Sequence, residues 1–282
     1  MDNIDIYLDG KVLYGDKFDT GQIAEWYADE KEGYADLGAK DATTYKYGYH
    51  AWNTLHAYRH LRSEAFPHVM GFGSAYGDEL LPIISKIRDI TIVDPSDSFT
   101  REIVHGVPAR FIKPTPSGRL CLEDNTFDLI TCLGVLHHIP NVSFVISELA
   151  RTLKPGGYMV LREPIVSMGD WREPRRGLTK RERGIPIDIL LTIVQGCGLV
   201  IKRQSLCAFP LTPRMFRALR SDVYNSSIAT RVDALLSAAF SWNINYHARS
   251  LLQRLRPTSA FLILMKPPDQ PSASSGRSAS AW

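Results

Sequence analysis

Cysteine is scarce and patternless in this chain. Cys121, Cys132, Cys197 and Cys207 show neither a C-x-x-C pair nor a histidine at ligand spacing. They read as reduced core residues, so neither a disulfide framework nor a zinc site is expected, nor any other metal. Long apolar runs are absent too. None approaches the ~20 residues that cross a bilayer, and the acidic start MDNIDIYLDG lacks the basic and apolar regions of a signal peptide. A cytoplasmic protein without a membrane span is therefore expected. Charge of one sign is equally limited: the net charge of +3 is too balanced to favour nucleic acid as a partner. No internal repeat is visible.

What is present is enough apolar material for one large core, since 44% of the 282 residues are hydrophobic. Residues 1–62 read as an aromatic, helical N-terminal cap, in which Trp52, Leu55, Tyr58 and Arg59 recur at helical spacing. From Phe66 onward, short apolar runs (HVMGFG, ITIVD, ARFIK, FDLITCL, GYMVLREP) alternate with amphipathic stretches near 77–86 and 142–153. That alternation predicts an α/β fold, a doubly wound, Rossmann-like and mostly parallel sheet. LVIKRQSLCA and AFLILMKP bring the expected strands to seven. Residues 63–266 form the main domain, with a helical insertion or lid at 207–256. The Pro/Ser-rich tail, 267–282, lacks apolar periodicity and is expected to be disordered.

The stretch HVMGFGSAYGDE crowds Gly71, Gly73 and Gly77 into a turn between a strand and a helix. Glycine there lets a ligand touch the main chain, and the following helix start offers N–H groups. The spacing is not that of a dinucleotide turn, and tight strand–helix packing explains it equally well. Asp94 tips the balance. It ends the next strand, 21 residues after Gly73, where a carboxylate can accept hydrogen bonds from two ribose hydroxyls.

VMGFGSAYG, ITIVD, LEDNTFDLITCLGVLHHIP and ELARTLKPGGYMVLREP, in that order across roughly residues 66–164, resemble the successive motifs of class I S-adenosylmethionine-dependent methyltransferases. The resemblance implies S-adenosylmethionine as cofactor. It also implies cofactor contacts at Gly71, Gly73, Ser74, Ala75 and Gly77, then at Asp94, Pro95 and Leu133. Gly71 stands where the family has an acidic residue, and Ala75 where it has its middle glycine. Glu79 or Asp78 is the expected substitute for the missing carboxylate. The acidic residue often found near the adenine has no match, because PTPSGRL occupies that stretch.

Methyl transfer from a sulfonium asks the enzyme to align the acceptor and, for a hydroxyl, to remove a proton. His137 and His138 follow the FDLITCL strand, and Glu163 ends the next; these are the candidate catalytic groups, each weighed against a packing or pairing role. WREPRRGLTKRERG carries six basic and two acidic residues, from which Arg172, Arg175 and Arg176 are candidates to meet an anionic acceptor. Tyr49, in an aromatic stretch, is a candidate wall of the entrance. The expected activity is O-methylation of a small-molecule or carbohydrate acceptor. A non-catalytic, methyltransferase-like binding or scaffold protein is the alternative, favoured by Gly71.

Overall fold

The structure, a computed structural model, describes residues 4–38, 46–171, 173, 175, 177–218 and 222–269. Arg172, Arg176 and nearly all of the expected tail lie outside the described residues. Eight strands form one sheet: β1 (Phe66–Phe72), β2 (Ile87–Val93), β3 (Ile103–Val104), β4 (Val107–Ile112), β5 (Phe127–Leu133), β6 (Leu153–Pro164), β7 (Val200–Cys207) and β8 (Ser259–Met265). Their order is β3-β4-β2-β1-β5-β6-β8-β7. Neighbours from β4 through β6 are parallel. β8 runs antiparallel to both β6 and β7.

This is the expected α/β architecture with one strand more than the seven read from the sequence. The additional strand, β3, is two residues long and pairs antiparallel with β4. Its reversal is made by His105 and Gly106, with φ of 49° and 84°. A two-residue hairpin turn that matches strand twist needs positive φ at both central positions, which glycine tolerates and histidine occasionally adopts.

Central strands are buried on both faces, which is why they read as continuous apolar runs. Val69, Met70, Leu129, Ile130, Cys132, Met159, Val160 and Leu161 have no exposed surface. The helix α4 (Val142–Thr152) lays Val142, Val145, Ile146 and Leu149 against this sheet, the i, i+3, i+4, i+7 stripe of an amphipathic helix. Burying each such side chain contributes about 1.5–3 kcal/mol. The stretch after Gly77 departs from expectation: Asp78–Lys86 is a 3-10 helix with Pro82 inside it. Proline has no N–H for an i−4 carbonyl and its ring crowds the preceding turn.

Among the described residues three α-helices precede the sheet: α1 (Asp5–Leu8), α2 (Thr20–Gly38) and α3 (His50–His56). From α3, Trp52 stacks on Tyr224 at 4.3 Å and His56 on Phe261 at 5.1 Å. The helix α5 (Ile187–Gly196) links β6 to β7. The segment between β7 and β8 carries α6 (Thr212–Ala218) and α7 (Ser227–Ala239). All four cysteines are free, but only Cys132 and Cys207 are buried; Cys121 is exposed and so is not a core residue. Among the described residues no helix is long and apolar enough to cross a membrane.

Candidate active site at the carboxyl edge of the sheet

Parallel strands point their carboxyl ends to one edge, where ligands of this architecture sit. Here that edge gathers the turn after β1, Asp94 after β2, Leu133 at the end of β5 with the turn through His138 that follows, and Glu163 near the end of strand β6. The first turn is pinned by its own backbone: Gly73 N–H donates to Val93 O at 2.7 Å, and Gly77 N–H to Ser74 O at 2.8 Å. Gly73, Ala75 and Gly77 all have positive φ, of 64°, 48° and 75°. Ala75 therefore keeps the left-handed backbone of the glycine it replaces.

Asp94 is 6% exposed. Its Oδ2 accepts from Ala75 N–H at 3.2 Å and its Oδ1 from Ser96 N–H at 3.0 Å. Burial raises its pKa, against the pull of those two donors. Each carboxylate oxygen has a second lone pair, so the geometry that ties Asp94 to the turn still leaves acceptor capacity for ribose hydroxyls. Pro95, beside it, is exposed.

Two close approaches explain the glycines. A Cβ on Gly71 would fall against the Ser74 hydroxyl and 3.1 Å from Glu79 Oε1, and one on Gly73 would lie 2.5 Å from Val135 Cγ1. Side chains of the protein, rather than a ligand alone, require bare backbone there. Glu79 is 3% exposed and shares hydrogen bonds with Ser74 and Thr131. Burial pushes its carboxyl up to about 7. Among the described residues no basic side chain pairs with it. A buried carboxyl beside position 71, where the family places its acidic residue, suits the ammonium of a methionyl group. Glu79, Asp94 and the turn's backbone thus fit the cofactor that the resemblance implies.

The two histidines belong to a buried network. Glu163, fully buried, caps the short 3-10 turn Leu136–His138: Oε1 accepts from Val135 and Leu136 N–H, both at 2.9 Å, and Oε2 pairs with His137 Nδ1 at 2.8 Å. Burial alone would raise the Glu163 carboxyl, but His137 and those N–H groups hold it below the usual carboxylate range. His137 Nε2 faces Glu182 Oε1 at 3.5 Å. Burial lowers the imidazole, yet Glu163 and Glu182 outweigh it and take its pKa to about 9. The two carboxylates thus favour a proton on His137, and Glu163 is engaged on both oxygens. His138 pairs through Nδ1 with Glu30 Oε2 of α2 at 3.0 Å, and its carbonyl accepts from Trp26 Nε1 at 2.7 Å.

The described arginines of the basic loop are committed to the protein itself. Arg175 gives its NH1 to Met168 O and Glu182 O and its NH2 to Thr179 O and Lys180 O. Its guanidinium folds its own loop and is not presented to an acceptor, which corrects that expectation. Arg181 pairs with Glu25 and Asp29 of α2. Arg183, fully buried, donates to Tyr14 O, Ile139 O and Pro140 O at 2.8–3.1 Å. Tyr49 lies under Arg162, whose guanidinium carbon is 4.6 Å from the ring centroid. Arg162 in turn donates to Leu133 O at 3.0 Å and Asn53 Oδ1 at 3.2 Å, so Glu163, not Arg162, is the partner of the histidine turn. Sequence reading missed Glu30, Glu182, Arg183 and Arg162.

Residues 70–161 match the family model described as a methyltransferase domain. A ubiquinone biosynthesis O-methyltransferase of Shewanella pealeana is 39% identical over 54 residues, 19% of this chain and 23% of that relative. The match thus spans about a quarter of the relative's length. Solved structures share the fold at low identity. One is a chain from the complex of the Haloferax volcanii Trm112 methyltransferase activator, with a TM-score of 0.52, 14% identity and coverage of 87% of this chain and 97% of that one. Another is phosphoethanolamine N-methyltransferase 2 of Haemonchus contortus, bound to phosphomonomethylethanolamine and S-adenosylhomocysteine, with a TM-score of 0.50, 15% identity and coverage of 77% and 53%. Motifs, sheet order and the family-model match agree: residues 70–161 carry a methyltransferase domain of the class I S-adenosylmethionine-dependent kind.

Proposed function

We propose that the protein transfers a methyl group from S-adenosylmethionine to a hydroxyl of a small-molecule or carbohydrate acceptor. The observation that carries this reading is the hydrogen bond from Ala75 N–H to Asp94 Oδ2, which joins the glycine turn and the β2 carboxylate into one unit. Bound there, the cofactor supplies an already activated methyl group. Asp94 would hold the ribose, and Glu79 the methionyl ammonium, gaining the cationic partner that its buried carboxyl lacks. Val135 fixes the spacing between the first turn and the histidine turn by packing on Gly73. The acceptor would enter beside His138, whose side chain is 18% exposed against 10% for His137. Oxygen as the target is supported by the stretch shared with the Shewanella O-methyltransferase.

Calorimetry with S-adenosylhomocysteine, then turnover against a panel of phenolic, sugar and carboxylate acceptors, tests the reading. A second reading, a methyltransferase-like protein without catalysis, is favoured by Val135 covering Gly73. Cofactor binding without turnover on any acceptor would support it.

A further inference from the structure

The imidazoles at the end of β5 have more buried carboxylates around them than capping a three-residue turn requires. We propose that His137, His138 and Glu182 bind a first-row divalent transition-metal ion of the zinc type. One ligand atom from each lies within 4.8 Å of the others. His137 Nε2 and Glu182 Oε1 stand 3.5 Å apart, near the roughly 3.4 Å edge of a tetrahedron built on metal–ligand bonds of about 2.1 Å.

The rings are fixed from behind. Glu163 Oε2 holds His137 through Nδ1 at 2.8 Å and Glu30 Oε2 holds His138 through Nδ1 at 3.0 Å. Both carboxylates are fully buried. A carboxylate on one imidazole nitrogen orients the ring and raises its basicity as a metal ligand. Glu182 is positioned just as firmly: its carbonyl accepts from Arg175 NH1, and its Oε2 accepts from Thr179 N–H at 3.1 Å. Two imidazoles and one carboxylate, without sulfur, form a three-ligand set that leaves a coordination position open. The ion would tie three separate elements together: the turn after β5, the loop before α5 and, through Glu30, α2.

Binding of the ion does not depend on methyl transfer. Its catalytic consequence rests on that reading: an acceptor hydroxyl taken into the open position loses its proton more readily, and His138 serves as ligand instead of base.

The full chain, freed of metal with a chelator, is titrated with Co²⁺ and followed by visible absorption, then with Zn²⁺ by calorimetry. One equivalent of Co²⁺ is expected to give the spectrum of a nitrogen-and-oxygen site of low coordination number, and Zn²⁺ to displace it. Glu182→Gln and His138→Ala should each weaken binding at least about tenfold. His105→Ala, at the separate pair with Asp78, should leave it unchanged. Absence of both cobalt absorption and zinc heat in the wild type, or wild-type affinity in Glu182→Gln, overturns the proposal. If the variants do not fold, the wild-type spectrum decides, since a spectrum without nitrogen ligation contradicts the site. S-adenosylhomocysteine affinity measured in chelator separates this outcome from failure of the methyltransferase reading.

Discussion

Glu79 Oε1 lies 3.1 Å from the place where a Cβ on Gly71 would stand. The end of β1 carries no carboxylate at position 71, and one from eight residues later, in the following 3-10 helix, stands beside it. Two consequences can be measured. Because burial lifts this carboxyl from 4.5 to about 7, the folded state holds the proton more tightly than the unfolded chain. Its contribution to stability is therefore present below about pH 4.5 and is lost as the pH rises through about 7. Glu79→Gln should remove that dependence, matching the wild type near pH 4 and exceeding it at pH 8 in denaturant titrations. The same substitution should weaken S-adenosylmethionine binding at pH 8, where the ionised carboxylate is the methionyl partner. Equal affinity in both proteins would deny Glu79 that role.

Ala75 occupies a left-handed conformation with φ of 48°, which costs an L-residue roughly 1–2 kcal/mol relative to glycine. Set against the lower unfolded-state entropy of alanine, Ala75→Gly should stabilise the protein by about 0.5–1 kcal/mol. Chemical denaturation at pH 7 checks this.

Glu163 should matter for folding before it matters for chemistry. Glu163→Ala leaves the amides of Val135 and Leu136 and the His137 ring without their shared acceptor, an uncompensated buried charge worth about 3–5 kcal/mol. Glu163→Gln keeps an acceptor oxygen and should lose less. Similar losses in both variants would show that the turn does not depend on the carboxylate's acceptors.

Much of this was legible in the sequence. Alternating apolar runs gave the parallel strands, and Asp94 was placed by its distance from Gly73. The helix after Gly77 was legible in its extent but not in its 3-10 form, since Pro82 disfavours α-helical bonding in a way apolar spacing alone does not reveal. β3 escaped notice because two residues carry no periodicity, although the His105–Gly106 pair was a local sign of a tight hairpin. The polar network at the histidine turn was the least legible part. Glu30 and Glu182 come from segments 108 and 45 positions away from the residues they meet, and no local pattern pairs an acid of α2 with a loop that reads as solvated charge. Arg175 failed as an acceptor-binding candidate, and Arg183 went unnoticed, for the same reason: their partners are backbone carbonyls, which every sequence contains.

The central claim is that the first turn and Asp94 together grip an adenosyl group, and calorimetric titration of wild type and Asp94→Asn with S-adenosylhomocysteine tests it most directly. The account expects stoichiometric binding by the wild type and at least about tenfold weaker binding by the variant, the loss of a charged acceptor being worth about 1.5–3 kcal/mol. No heat of binding in the wild type, or indistinguishable affinities in the two proteins, would contradict it.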